Sequence, residues 1–295
     1  MISNECVHTF LVTRFNIAVN YKSQKANTSI PDDKPWLDEE YLRKRFDIFE
    51  KYTFPSVMKQ SDMDFSWIIL FHKDTPNQFM ERIDEFSKKM PNIATWFLND
   101  DDSYRALELI SEYFDRIQRE DKTRIISCRI DNDDMIGRDY VKEVKIRLQK
   151  ENGRRFLSFS RGISYQISNH YVASFIDVGN HFLAMISDNG RPNFITAAGD
   201  HDRVMKDCSN EERIVVNTDM PMWVEIISDT NCLNRVRWSG KEGFFLPYSL
   251  AKEYPELGLW NNWISYLFST LFAPIYYFSH KFLLIAKYGH EWRKN

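Results

Sequence analysis

From residue 6 to residue 130 the chain alternates short apolar runs with longer segments of helical periodicity, and this alternation limits the folds open to it. Residues 6–12, 65–71, 93–98 and 125–130 are the runs. Each is too short for an independent helix and is bounded by polar residues, as strands are. The second, F-S-W-I-I-L-F, is apolar at almost every position, which fits a strand covered on both faces. Between the runs, residues 38–52 place Tyr41, Leu42, Arg45, Phe46 and Phe49 at helical spacing. Phe54-Pro55-Ser56-Val57 is expected to break that helix. Residues 78–90 and 103–120 read as two more amphipathic helices. The pattern predicts an α/β protein with a mostly parallel central sheet flanked by helices.

The fourth run ends in R-I-D-N-D-D-M-I-G. Asp131, Asn132, Asp133 and Asp134 are poor strand formers and Gly137 favours a turn, so three carboxylates stand together where a strand stops. In open α/β sheets ligands bind at that edge. Carboxylates so close repel one another unless a cation holds them ionised. Mg²⁺ and Mn²⁺ suit oxygen ligands, and Mg²⁺ is held by one or two carboxylates together with substrate phosphates. A metal-bridged diphosphate is one reading of the cluster; a solvated acidic turn that caps the next helix is the other. A second acidic run, Asn99-Asp100-Asp101-Asp102, is read as a helix N-cap. No GxGxxG and no GxxxxGK[ST] occurs, so neither glycine-loop phosphate site applies.

Thr13, Arg14 and Asn16 follow the first run and are candidates for contact with a nucleotide or its diphosphate, since a guanidinium matches phosphate geometry. Residues 18–34 read as a long polar loop. The net charge of −3 gives no reason to expect nucleic acid. Cys6, Cys128, Cys208 and Cys232 form no CxxC pair, which argues against zinc. Cys6 and Cys128 are expected to be buried thiols. The first residues lack the features of a secretory signal, so a cytoplasmic location is expected.

Residues 257–280 carry no Asp, Glu, Lys or Arg and are rich in aromatics; Lys281, Lys287, Arg293 and Lys294 follow. Polar residues and Pro274 interrupt the stretch. It therefore suits an interfacial helix pair on an anionic leaflet better than a membrane span. A helical hairpin packed on the domain or in a dimer interface is the alternative. The expected organisation is a domain over residues 1–250 and an aromatic, basic helical tail over residues 251–295, in peripheral contact with the cytoplasmic face of an inner membrane.

Several segments together resemble the rhamnosyltransferases of bacterial surface-polysaccharide clusters. They are H-T-F-L-V-T-R-F-N at 8–16, Trp36-Leu37, R-F-D-I-F-E-K-Y-T-F-P-S-V at 45–57 and Q-S-D-M-D-F-S-W-I-I-L-F at 60–71. Thr75-Pro76, R-I-D-N-D-D at 129–134 and, more weakly, P-M-W-V-E-I-I-S-D-T-N at 221–231 complete the set. The resemblance implies a GT-A-like glycosyltransferase with a DXD motif. It would be a hexosyltransferase that moves a sugar, rhamnose in the family's name, from a nucleoside diphosphate sugar to a glycan or lipid-linked glycan acceptor. It places Thr13, Arg14, Asn16, Arg129 and Asp131 at the nucleotide sugar, and Asp131, Asp133 and Asp134 at Mn²⁺ or Mg²⁺. Relatives often carry a His after the strand that follows Trp223, where this chain has Ser228 and Asp229; Asp229 or water would then complete the metal site. The later half of such enzymes forms the acceptor side. There Asp200, His201 and Asp202 are candidates for the general base, because carboxylates and His serve near neutral pH. Asp177, His181 and Asp188 lie in the same half. The rival reading is a non-catalytic carbohydrate-binding or scaffold protein of the same assembly.

Overall fold

The structure, a computed structural model, describes residues 6–18, 34–121, 123–187, 208–229 and 247–264. The four apolar runs form β1 (Val7–Arg14), β2 (Ser66–His72), β3 (Ile93–Leu98) and β4 (Arg124–Arg129). β1 pairs in parallel with both β2 and β4, and β2 with β3. Beyond β4 the sheet continues through β9 (Ala184–Ser187), β6 (Arg155–Phe159) and β10 (Arg213–Val216). The order is β10-β6-β9-β4-β1-β2-β3, and β9 alone runs antiparallel to its neighbours. This is the α/β arrangement with a mostly parallel central sheet flanked by helices that the alternation predicts.

Side-chain parity explains why the runs are apolar throughout. In β1 and β2, Leu11, Trp67, Ile69 and Phe71 face one cluster. Phe10, Val12, Ile68 and Leu70 face another. The first cluster is closed by α1 (Glu39–Ile48), α3 (Met80–Lys89) and α6 (Tyr140–Leu148), through Phe46, Ile83, Phe86, Tyr140 and Val144. The second is closed by α5 (Ala106–Asp121), through Ala106, Ile110 and Phe114. Each large side chain fully buried in these layers contributes about 1.5–3 kcal/mol.

A smaller sheet has the order β5-β11-β7-β8, built from β5 (Met135–Ile136), β7 (Arg161–Gln166), β8 (Tyr171–Ile176) and β11 (Trp223–Ile227). β7 and β8 form a hairpin, while β11 runs parallel to β7. Gly162 is fixed by contact: a Cβ there would lie 2.2 Å from the Trp223 ring, which packs flat over the strand and donates from Nε1 to Phe159 O at 2.7 Å.

Several expectations change. β1 extends to Arg14, so Thr13 and Arg14 belong to the strand rather than to a following loop. Phe54-Pro55 does not break the first helix. Residues Phe49–Thr53 form a π turn that leads directly into α2 (Phe54–Met58), where Pro55 occupies the first turn, a place where its missing N–H costs nothing. The third helix is divided at Arg105 into α4 (Asp100–Tyr104) and α5. Asn99 supplies its cap, accepting from Asp102 N at 2.8 Å. Cys6 is exposed, whereas Cys128 is buried.

The expected boundary at residue 250 falls inside packed structure. α7 (Pro247–Glu253) and the turn after it bury Leu250, Ala251, Tyr254, Leu257 and Leu259 against the smaller sheet. Tyr254 donates to Pro221 O at 2.7 Å, and Tyr165 donates to Leu257 O at 3.1 Å. A truncation that spares the core therefore has to begin after Leu259. Residues 265–295, most of the aromatic tail, lie outside the described residues.

Candidate active site

Strands β1 to β4 run parallel, so their carboxyl ends share one edge. From β1 the chain proceeds outward to β2 and β3 and then returns to place β4 on the other side of β1. The crevice between β1 and β4 is thus a topological switch point, the usual place for a ligand in such sheets. The Asp131–Asp134 turn leaves β4 at this crevice. Asn132 ties it down by donating to Phe15 O at 2.7 Å, and Asp134 N donates to Asp131 O at 3.3 Å.

The three carboxylates have separate surroundings. Asp131 is held by Arg129 in a bidentate pair, Nε at 2.9 Å and Nη2 at 2.7 Å. Burial raises its pKa, but the charge and hydrogen bonds of Arg129 prevail and hold it well below the usual carboxylate range. Asp133 turns toward α1, where it pairs with the buried Arg45. Burial opposes the charge on Arg45, yet Asp133 more than offsets it and keeps the guanidinium firmly protonated. Arg45 Nε also donates to Tyr41 Oη at 3.0 Å.

Asp134 is fully buried. It accepts from Ile226 N at 3.0 Å and lies 2.7 Å from His181 Nε2. Burial first, then the neighbouring Asp133 and Asp131, push its pKa well above the usual range. Burial lowers that of His181, against the pull of Asp131. Together these shifts favour a neutral pair with the proton on Asp134. Asn180 fixes the turn that carries His181 by donating to Ser158 Oγ, Phe159 O and Asp177 O at 2.7–3.0 Å.

One ligand atom each from Asp131, Asp134 and His181 lies within 4.8 Å of the others. Two carboxylates and an imidazole in a buried setting form a donor set that fits Mn²⁺ or Mg²⁺, carboxylate being the ligand such ions favour and His a ligand shared with other divalent metals. Asp131, Asp134 and His181 would hold such an ion, whose positive charge would offset the repulsion among the carboxylates.

The remaining sequence candidates divide in two. Thr13 and Asn16 are committed to the scaffold. Thr13 Oγ1 donates to Ile130 O at 2.8 Å and accepts from Trp67 Nε1 at 3.0 Å. Asn16 donates to Trp36 O and Thr75 Oγ1 and accepts from His72 N. Arg14, half-buried at the end of β1, is close enough for its charge to act on Asp131. Asp229 follows β11, is exposed and pairs with Lys44 of α1 at 2.9 Å; it is not brought into the Asp131, Asp134 and His181 group. Asp200, His201 and Asp202 lie outside the described residues. Sequence reasoning named two participants without giving either a place in this group. Arg45 had left a signal, as a charged residue on the apolar face of its helix. His181 had none, lying 47 residues from its partner without a spacing motif.

Fold and site define an α/β protein with an acid and imidazole centre at the ligand-binding edge of its sheet. The chain belongs to a glycosyltransferase family: the family model described as "Putative rhamnosyl transferase" matches residues 8–239. No curated protein sequence matches the chain. Among solved structures, one described as "Crystal structure of S. aureus TarS 1-349" is similar at 10% identity with a TM-score of 0.38. The match covers 74% of this chain and spans 60% of that one, a likeness too distant to add to the functional reading.

Proposed function

We propose that the protein is a metal-dependent glycosyltransferase that moves a hexose, with rhamnose the leading candidate, from a nucleoside diphosphate sugar to a glycan or lipid-linked acceptor of a bacterial surface polysaccharide. The observation that carries this reading is the convergence of Asp131, Asp134 and His181 at the β1/β4 switch point of a chain in this family. When bound, Mn²⁺ or Mg²⁺ would supply Lewis-acid stabilisation of the departing diphosphate, worth several kcal/mol. The chain's own groups prepare the site. Arg129 orients Asp131, the Ile226 amide orients Asp134, and Asn180 sets the turn bearing His181. Arg14 is the candidate for the diphosphate or nucleotide. Asp200, His201 and Asp202 stand as candidates for the base that takes the proton of the acceptor hydroxyl.

Thermal unfolding with UDP, GDP or dTDP, each with and without Mn²⁺, tests the reading. One nucleotide is expected to stabilise the protein in Mn²⁺ far more than alone; a ligand at 100 times its Kd adds about 2.7 kcal/mol. Hydrolysis of the matching nucleotide sugar should stop in EDTA. Equal stabilisation with and without metal by all three would refute metal dependence and favour a non-catalytic binding role.

The same reading includes peripheral membrane contact. Among the described residues no helix is long and apolar enough to cross a membrane. Immediately after the docked Leu259, however, Trp260, Trp263 and Ile264 are 58%, 48% and 54% exposed. They open the charge-free stretch that precedes Lys281 and Lys287. Apolar burial of each at about 1.5–3 kcal/mol would hold this end on an anionic surface. Changing Trp260, Trp263 and Ile264 together to Ser is expected to weaken sedimentation with phosphatidylglycerol vesicles more than tenfold. Unchanged sedimentation would rule out these residues as the anchor.

A further inference from the structure

A cavity of about 660 Å³ opens where α1 meets the smaller sheet. Its walls come from Lys44, Asp47 and Ile48 of α1, from Gln166 and Ser168 at the end of β7, and from Ile227 and Asp229 at the end of β11. Its volume lies within the usual range for small-molecule sites. We propose that this cavity is the acceptor subsite and that it takes a neutral glycan of a few sugar rings. The inference rests on the glycosyltransferase reading and adds the place and chemical class of its second substrate.

Position is the first support. β7 and β11 run parallel with Ile227 opposite Gln166, so the cavity lies at the carboxyl edge of that pair, the edge at which parallel strands present ligands. Its wall is also tied in sequence to the candidate metal centre. Ile227 in its wall follows Ile226, whose amide holds Asp134. One step along β11 thus separates a residue of the cavity wall from the amide that holds Asp134.

Chemistry decides the class of ligand. Among the described residues Lys44 is the single basic one of the lining, and Asp229 already neutralises it at 2.9 Å. Asp47 is the other acid and is engaged by Arg82 at 2.7 Å. Among the described residues a phosphate or uronic acid would meet two carboxylates and no spare cation. A neutral sugar meets an amide and a hydroxyl, Gln166 and Ser168, which hydrogen-bond to each other at 3.1 Å and would exchange that contact for its hydroxyls, and carboxylate oxygens to accept from those hydroxyls. Ile48 and Ile227 are apolar surface for the C–H faces of its rings. Such a mixture of an apolar floor with a few placed polar groups is characteristic of ligand pockets. Asp229, expected from the sequence beside the metal, is thereby given a different task.

Saturation-transfer NMR on the full chain provides the test, with methyl rhamnoside, methyl glucoside, methyl galactoside, methyl N-acetylglucosaminide and methyl glucuronide as probes. At least one neutral glycoside is expected to bind in the millimolar range. Ser168→Trp, which places an indole in the mouth of the cavity from an exposed position, and Gln166→Ala, which removes an amide, should each weaken it at least tenfold. The proposal is overturned if no neutral glycoside binds the wild-type protein, if the glucuronide alone binds, or if both folded variants bind as the wild type does. Mn²⁺-dependent nucleotide binding by the wild-type protein is measured alongside. Its loss would remove the glycosyltransferase reading, whereas its presence without glycoside binding would remove only the acceptor assignment.

Discussion

Asp134→Asn is expected to fold as well as the wild type and to lose transfer on the order of 10³-fold. The two halves of this expectation have one physical origin. Asp134 is fully buried beside Asp133 and Asp131, which together with burial push its pKa upward. Asparagine reproduces the shape of the resulting neutral carboxyl. Its Oδ1 can still accept from Ile226 N, and its amide can still donate to His181 Nε2, replacing the contacts of 3.0 and 2.7 Å. What it cannot do is become an anion when a dication arrives. A loss of about 4 kcal/mol of transition-state stabilisation corresponds to roughly 10³-fold in rate, the scale of a Lewis-acid contribution. Thermal unfolding and a transfer assay on the same preparation check both halves. A folded Asp134→Asn enzyme with wild-type turnover in Mn²⁺ would remove Asp134 from the mechanism.

The second large effect concerns stability. Arg45→Ala removes the guanidinium from a buried carboxylate, and breaking a buried pair from one side costs about 3–5 kcal/mol. At about 2–4 °C per kcal/mol for chains of a few hundred residues, the melting temperature should fall roughly 10 °C. Asp133→Ala should cost a similar amount, because it leaves a charge buried on α1 instead. The double variant Arg45→Ala/Asp133→Ala is expected to be more stable than the sum of the two losses implies, since no uncompensated charge remains. The resulting coupling energy in a double-mutant cycle should exceed about 1.5 kcal/mol. Additive losses would show that the pair seen between α1 and the acidic turn does not form in solution. The same geometry makes Asp133→Ala a poor probe of the metal, because a loss of activity would be mixed with a loss of structure.

The fold was legible where the chain states its burial locally. Leu11 and Val12 face opposite layers, and the uninterrupted apolar run around Ile68 to Phe71 records that both faces of β2 are covered. The acidic turn was equally plain, since a β4 ending in three carboxylates has few uses. Local reading failed where long-range packing decides. Pro55 looked like a helix stop, but a π turn places it in the first turn of the next helical segment. Thr13 and Asn16 looked like ligand groups at a strand end. Extension of β1 by two residues turned Thr13 into a link among β1, β2 and β4, and Asn16 into a clamp on His72 and Thr75. The third member of the acid and imidazole group was expected after β11. It arrives instead on the turn before β9 as His181, placed by the hydrogen bonds of Asn180.

The central claim is that Asp131, Asp134 and His181 hold one divalent cation at the β1/β4 crevice. The most direct measurement is anomalous diffraction from a crystal of the full chain grown with Mn²⁺ and the nucleoside diphosphate that stabilises it most. The account predicts one strong manganese peak within coordination distance of Asp131, Asp134 and His181, with the diphosphate beside it and Asp133 still paired with Arg45. A bound diphosphate with no manganese peak there, or a peak held by Asp133 or Asp229 in place of His181, would contradict it.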